Sequence, residues 1–481
     1  MKKILMLQPL RVYKRWPMPD DFTGLLGNSP TLAFAQLKGA ITAEFKGCEC
    51  EFMDGLAGDY TLAELTRRAK SADAVLVNAH SSIGALNSEF SVRHILETAP
   101  GVPIIMGGHH ATVYDFEWLG RGAHFVVRNE GERTIVELLQ AIKKGGPYKD
   151  IKGLSWRDGR HDFHRNPARE LVKNLDDLPM PDWSIYDPTL YYLPLANKGY
   201  STTVETSRGC MHRCRFCAAS EMWGHTQRFK SPERVLEELR IVKKLGFTKI
   251  WFSDDNFGAD PERYMKIYEG MIRENMGFHF ASFLRCDTIA RNPEATRLAC
   301  RAGLRGALLG IETPSDRILK DFAKANTHGT TVKAVEMLRA HGAFIAGFMM
   351  VGYIDETQAE TSAAFRAADE LTDYPIISIF EPRRGTADFG RADGLHDMPG
   401  GDMFYHNTVK FIPSKRHILK QYRDFYRNYM IHPKQLHKLL AGTPVQKDWY
   451  RTMYLNMAKS VLSATPQKIA HPWDMVRVVY K

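Results

Sequence analysis

The chain has 481 residues, 44% of them apolar and 25% charged, with seven cysteines. Its length exceeds one ordinary core and implies two or three domains of roughly 100 to 200 residues; the composition is that of a folded soluble protein, and so few cysteines, odd in number, exclude a disulfide framework and fit a reducing cytoplasm. The formal charge of +10, from 65 basic and 55 acidic residues, is mixed rather than blocky until late in the chain, so no nucleic-acid partner is expected.

The opening MKKILMLQPL has the charged start of a signal peptide, but Gln8 and Pro9 interrupt its apolar run and no small-residue cleavage site follows. It reads as a first strand. Through the first 145 residues KILML, ECEFMD, DAVLVN, VPIIMG and HFVVR alternate with segments of helical apolar spacing. This alternation predicts an α/β domain over 1–145, a doubly wound, Rossmann-like parallel sheet covered on both faces. Ligands of such sheets lie beyond the carboxyl ends of the strands. Those ends carry Gln8 and Pro9, Asn78 to Ser82, Gly107 to His110, and Asn129 to Glu132. KGLSWRDGRHDFHRN, two alternating runs about Asp158-Gly159, signals a hairpin. The proline-rich, acidic NLDDLPMPDWSIYDP suits a linker, so hairpin and linker fill 146–200, with the boundary within 166–200.

Over 201–390 the candidates STTVETS, KIWFS, HFASFL, GALLGI, FIAGFMMV and PIISIF alternate with amphipathic segments such as SPERVLEELRIVKKLG. There Ser231 suits an N-cap, Pro232 the first turn and Gly246 the helix end. Six strand-helix units predict a partial (β/α)6 barrel, or a closed one, with its chemistry at the carboxyl ends of the strands. Residues 391–481 lose the rhythm and read as mostly helical. Within them KRHILKQYRDFYRNYMIHPKQLHK interleaves Lys and Arg with Tyr, Phe and Leu, a surface pair of amphipathic helices. An acidic reductase or a membrane surface are its alternative partners. The longest apolar stretch, AFIAGFMMVGYI, falls short of the roughly 20 residues a spanning helix needs.

In SRGCMHRCRFC, Cys210, Cys214 and Cys217 follow the first strand of the second region with the spacing C-x3-C-x2-C. Thiolates this close repel one another unless a metal neutralises them, and they favour zinc or an iron-sulfur cluster. Zinc with His212 as fourth ligand is the plainer alternative. Zinc sites, however, usually pair C-x2-C with a second pair further on, and none stands near here. A four-iron, four-sulfur (4Fe-4S) cluster held by three cysteines keeps one iron open to an external ligand. Cys286 and Cys300 lack the spacing for a second cluster and read as structural.

The spacing, with Phe216 ahead of the third cysteine, resembles the motif of the radical S-adenosylmethionine enzymes. That resemblance implies a 4Fe-4S cluster on Cys210, Cys214 and Cys217 whose open iron chelates S-adenosylmethionine. An electron from a donor such as flavodoxin or ferredoxin then yields a 5'-deoxyadenosyl radical. It also implies that Asp254 and Asp255 hold the ammonium of S-adenosylmethionine, Arg285 its carboxylate, and Glu312 and Ser315 its ribose. The residues alone allow a helix cap for the aspartates and an ion pair with Asp287 for Arg285. FMMV resembles the family's adenine-contacting strand, and Glu381 to Thr386 its P-x-x-G-T loop.

No G-x-G-x-x-G follows the first strand, so a dinucleotide is not expected. Gly107-Gly108-His109-His110-Ala111-Thr112 and Asn129-Glu130-Gly131-Glu132 resemble the "GG-x-H-x-T … EGE" pattern of a cobalamin-binding domain fused to one large branch of these enzymes. The resemblance implies cobalamin contacts at Asn78, His80, Ser81, Ser82, Gly107, Gly108, His110, Glu130 and Gly131, the glycines letting backbone approach the macrocycle. His109 and His110 equally suit capping or supporting roles. Members that give cobalt a histidine carry D-x-H-x-x-G after the first strand. Here Gln8-Pro9-Leu10 stands instead, and Asp162-Phe163-His164 begins such a pattern only on the hairpin. A cobalt without an imidazole below it is implied.

The resemblance implies a cytoplasmic, oxygen-sensitive, cobalamin-dependent methyltransferase acting on an unactivated carbon of a small molecule. One S-adenosylmethionine methylates cobalamin and a second supplies the radical. No protein side chain is assigned a catalytic role. Trp223, Phe257, Phe348, Tyr353 and Phe380, placed near the barrel exit, would suit a large apolar substrate, though core packing accounts for most of them equally well. The same parts serve an oxidative cyclase such as that of magnesium-protoporphyrin monoester, or a ring-rearranging enzyme. A transfer-RNA methylthiotransferase shares the cysteine motif but needs three more cysteines in its first domain, where only Cys48 and Cys50 stand.

Overall fold

A computed structural model of the protein describes residues 1–10, 28–159, 162–380, 384, 386–389 and 415–462. These fall into two compact units, 1–10 with 31–190, and 28–30 with the described residues from 191 onward.

The first unit runs β1 (Lys3–Gln8), α1 (Leu32–Glu44), β2 (Glu49–Asp54), α2 (Leu62–Lys70), β3 (Ala74–Asn78), α3 (Ser82–Thr98), β4 (Ile104–Gly107), α4 (His109–Val113), α5 (Asp115–Gly120), β5 (Phe125–Val127), α6 (Glu132–Lys144), β6 (Leu154–Asp158) and β7 (Asp162–Arg165). Its sheet has the order β2-β1-β3-β4-β5-β6-β7. The strands from β1 to β5 pair in parallel. Alternation along β3 sends Val75 and Val77 into one apolar layer, with Trp118, and Ala74 and Leu76 into the other, with Phe34 and Leu138. A strand buried on both faces has to be apolar throughout, as DAVLVN is.

The hairpin forms at the expected place but extends the sheet instead of standing apart, β6 pairing antiparallel with β5. Ile151 and Leu154 anchor it in the core layer of Phe34. The acidic segment after it is a packed strap and not a loose linker. Trp183, Tyr186 and Leu175 are buried, the Tyr186 hydroxyl accepts from Ala35 N at 3.0 Å, and a Cβ on Gly39 would meet Met180 O.

The second unit runs β8 (Tyr200–Val204), β9 (Ser207–Gly209), α7 (Ala218–Met222), β10 (Gln227–Phe229), α8 (Pro232–Lys244), β11 (Phe247–Phe252), α9 (Pro261–Arg273), β12 (His279–Arg285), α10 (Cys286–Arg291), α11 (Pro293–Ala302), β13 (Leu304–Glu312), α12 (Asp316–Asp321), α13 (His328–Ala340), β14 (Phe344–Val351), α14 (Gln358–Leu371), β15 (Tyr374–Ile379), α15 (Lys415–Ile431), α16 (Pro433–Ala441) and α17 (Pro444–Leu462). All six predicted strands form one parallel sheet, β15-β14-β13-β12-β11-β8. Its end strands β8 and β15 do not pair, so the barrel is partial. Ser231 caps α8 by accepting from Arg234 N at 3.1 Å, and Gly246 follows the helix with φ +88°. One sheet face, with Phe252 and Phe280, packs on Tyr264 and Tyr268 of α9. The edge of β15 is covered by α15: the Tyr426 hydroxyl accepts from Ile377 N at 3.0 Å and donates to Pro375 O at 3.1 Å.

Lys249, fully buried on β11, has its ammonium 3.5 Å from the centre of the Tyr192 ring. Burial lowers its pKa to about 8, against the pull of Asp448. The folded chain therefore binds this proton more weakly than the unfolded one. The resulting penalty is fully present below the folded value and fades as pH rises towards the ordinary lysine range. Lys249→Met is expected to stabilise the protein by about 1–2 kcal/mol at neutral pH, the relief of desolvation less the lost cation–π contact. Urea unfolding should show that gain shrinking at alkaline pH; a gain independent of pH would contradict the assignment.

Candidate active site

The three cysteines lie on the loop between β9 and α7, at the carboxyl edge of the six-stranded sheet. The β9–β10 ribbon at its base was not legible in the sequence, because three-residue strands carry no usable alternation. Gly209, immediately before Cys210, has φ +87°, and a Cβ there would strike Thr226 O. Its N–H donates to Asp255 at 3.0 Å. Arg215 holds the far side, its N–H donating to Phe322 O at 3.0 Å and its Nε to Asp388 at 3.0 Å, while Phe216 meets the Phe322 ring edge-on at 4.9 Å.

Burial first, then the neighbouring Cys217 and Cys214, push the Cys210 thiol up to about 11, while a backbone hydrogen bond from His212 and the charge of Arg285 pull it down. Among the described residues no three His, Cys, Asp or Glu side chains are gathered closely enough for a single metal ion. His212 is half-buried.

The residues expected around S-adenosylmethionine divide in two. Asp254 is consumed by the scaffold: it accepts from Thr206 N (2.8 Å), Thr206 Oγ1 (2.6 Å), Ser207 Oγ (2.6 Å) and Tyr264 Oη (2.7 Å), which ties the start of β9 to α9. Ser315 caps α12 and donates to Glu360 at 2.7 Å. Asp255, Arg285 and Glu312 stand at the carboxyl edge itself. Burial raises the Asp255 pKa to about 6. The Arg285 ion pair with Asp287 (2.9 Å) is buried rather than superficial, its Nη1 lies 3.8 Å from Cys214 Sγ, and its Nη2 is buried without a hydrogen-bond acceptor. Glu312, held at φ +64°, pairs with buried Lys324, a partner the sequence offered no way to find. Of the P-x-x-G-T loop, Glu381 to Arg383 and Gly385 lie outside the described residues.

On the sheet face opposite α9, Trp251 meets Phe283 edge-on at 5.0 Å and Phe283 meets Phe348 at 5.6 Å. Phe283 is 39% exposed although it sits on an interior strand, so this face is open at Phe283, while α17 covers it further down at Phe344. Alternation puts Arg285 on the same face, two residues nearer the cysteines. Of the aromatics expected at a barrel exit, Phe348 alone belongs to this wall. Phe257 packs on the other face against Phe252 at 4.9 Å, Tyr353 and Phe380 join the cluster of Phe322, and Trp223 lies beside Gly209.

In the first unit the loops after β3, β4 and β5 are tied together. His110 N donates to Ala79 O at 3.1 Å, and Asn129 N donates to Thr112 Oγ1 at 2.9 Å. Rings of His80 and His109 face each other at 4.9 Å. His110, the histidine assigned to cobalamin, instead turns into the core, stacked on Tyr114 at 4.6 Å and accepting from Trp118 Nε1 at 3.1 Å. The sequence could not choose between adjacent histidines at a helix start. Asn78 donates to Gln8 at 2.8 Å, Ser81 caps α3 by accepting from Gly84 N at 3.2 Å, and buried Glu130 accepts from Val172 N at 2.7 Å. These three support the loops. Gly131 opens α6, Gly107 ends β4, and the Ser82 side chain lies outside the described residues. His164 stacks on Trp156 of the hairpin at 4.2 Å.

Gly108, at φ +102°, would bring a Cβ within 2.6 Å of Asn78 Oδ1 and 2.7 Å of Ala79 O. Gly108→Ala is expected to cost about 2–4 kcal/mol in urea unfolding, the sum of backbone strain and overpacking. A change within error would show that the loop accommodates a side chain.

A glycine-lined carboxyl edge on a doubly wound sheet, joined in one chain to a three-cysteine loop on a partial barrel, defines a two-cofactor enzyme. Residues 204–368 match the Radical SAM superfamily and residues 24–139 the B12 binding domain. The chain thus joins a Radical SAM region to a B12-binding region, the domain pair of the cobalamin-binding radical S-adenosylmethionine enzymes. It is 29% identical over 448 residues to an uncharacterised methyltransferase of Pyrococcus horikoshii, covering 91% of this chain and 94% of that one. It is 25% identical over 305 residues to the anaerobic magnesium-protoporphyrin IX monomethyl ester cyclase of Synechocystis sp., covering 62% of this chain and 59% of the cyclase. The fold is similar to that of OxsB, a cobalamin-dependent S-adenosylmethionine radical enzyme solved with aqua-cobalamin and S-adenosylmethionine, with TM-score 0.69, 17% identity, and coverage of 99% of this chain and 75% of that one. No helix among the described residues is long and apolar enough to cross a membrane.

Proposed function

We propose that the protein transfers a methyl group to an unactivated carbon of an apolar small molecule. The observation that carries this reading is the convergence of Cys214 with Arg285 at the carboxyl edge of the partial barrel, in a chain that also holds a B12-binding domain. When bound, S-adenosylmethionine on a reduced 4Fe-4S cluster supplies radical chemistry, and cobalamin carries the methyl group.

Cys210, Cys214 and Cys217 hold the cluster. Arg285 directs its buried, unaccepted Nη2 towards a ligand carboxylate, Asp255 offers an acceptor to the ammonium, and Glu312, fixed by Lys324, offers one to ribose hydroxyls. Gly107, Gly108, His80 and His109 line the cobalamin edge; Asn78, Ser81, His110, Glu130 and Gly131 shape it from behind. Gln8 stands where other members carry a liganding histidine loop, so the end of β1 would offer cobalt no imidazole. Trp251, Phe283 and Phe348 exclude water and orient an apolar substrate beneath Arg285. The electron comes from a flavodoxin- or ferredoxin-type protein. A cytoplasmic setting suits seven cysteines that form no disulfide.

The similarity to the cyclase over 62% of the chain favours oxidative cyclisation as the second reading. Anaerobic incubation of reconstituted protein with candidate apolar metabolites separates them. 5'-Deoxyadenosine together with S-adenosylhomocysteine and a one-methylene mass gain supports methylation. 5'-Deoxyadenosine with no S-adenosylhomocysteine selects cyclisation, and absence of both across apolar substrates that bind would overturn the two readings.

A further inference from the structure

Charge is distributed unevenly along this chain. Residues 415–462 contain ten Lys and Arg but only Asp424 and Asp448, so they hold eight of the ten net positive charges. The last two helices of this segment present mixed outer faces. On α16, Leu436 and Leu440 stand one turn apart and are 47% and 75% exposed, Leu440 being the most exposed large apolar side chain among the described residues. On α17, Lys447, Arg451 and Leu455 follow at successive four-residue steps and are all exposed, so they form one ridge. Among the described residues no carboxylate lies within ion-pair distance of Lys447 or Arg451. The inner faces are firmly seated: Gln435 is buried, Leu439 packs against the core, and Trp449 stacks on Phe344 at 4.2 Å.

Packed helices keep their orientation, so these leucines cannot be buried by rotating inward. A solvated outer face would be polar. An acidic protein would satisfy the cations but gains nothing specific from leucines standing proud among them. A bilayer with anionic headgroups takes both, apolar side chains entering the acyl boundary while Lys and Arg stems reach back to phosphate. We propose that the outer faces of α16 and α17 dock on an anionic membrane surface. This reading is independent of which reaction the enzyme performs.

The test uses the full chain and co-sedimentation with vesicles of phosphatidylglycerol and phosphatidylcholine, or of phosphatidylcholine alone. Binding is expected only to the anionic vesicles. The double variant Leu436→Ser/Leu440→Ser should lower the partition coefficient about tenfold, because each leucine contributes apolar insertion. Lys447→Glu/Arg451→Glu should abolish binding at moderate salt. All four positions are exposed, so circular dichroism should be unchanged in both. No binding to anionic vesicles overturns the proposal. So does binding that survives the leucine changes in full and vanishes with salt, the behaviour of a surface for an acidic protein.

Discussion

Replacing Cys210, Cys214 and Cys217 together by alanine should yield a folded chain that takes up neither iron nor sulfide on anaerobic reconstitution. The loop is positioned by groups other than the thiols: Gly209 N on Asp255, Arg215 on Phe322 O and Asp388, and Phe216 on Phe322. Loss of the ligands therefore leaves the scaffold standing. Without the cluster, 5'-deoxyadenosine release should fall by more than about a thousandfold, since the protein itself has no group able to do this chemistry. Colorimetric iron and sulfide assays and the visible absorption of the cluster decide the matter. Full retention of both, or zinc in the wild-type protein, would end the assignment.

The second large effect concerns Lys324. It shares the interior with Glu312 as a closed ion pair at the end of β13. Lys324→Met leaves the carboxylate buried without its counter-charge, which is expected to cost about 3–5 kcal/mol. Glu312→Gln in the same chain should recover most of that loss, because it removes the stranded charge. Urea unfolding of the single and double variants measures the difference. If the double variant is no more stable than Lys324→Met, the damage is steric and not the stranding of a charge.

The strands were legible because each is apolar for a physical reason. Runs such as DAVLVN and GALLGI must fill two faces of a parallel sheet, and no surface segment imitates that pattern. The cysteine loop stood out as a candidate site from chemistry, since three thiols in eight positions have few other uses. What sequence could not provide was orientation. Asp254 and Asp255 are neighbours, yet one is enclosed by Thr206, Ser207 and Tyr264 while the other reaches the sheet edge. His109 and His110 divide in the same way, one towards His80 and one towards Trp118. A single residue step separates the members of each pair, and only tertiary packing sets its phase. The aromatic wall escaped for a related reason: Trp251 and Phe283 lie inside strands, where a buried aromatic is the ordinary expectation.

One phenol has a wider consequence. Tyr426 occupies a main-chain amide and a main-chain carbonyl of the last strand at once. A bare outermost strand invites pairing with any extended peptide, including another copy of itself. The tail helix thus acts as a stopper on an unfinished cylinder, and the unclosed circumference does not become an adhesive seam at this strand.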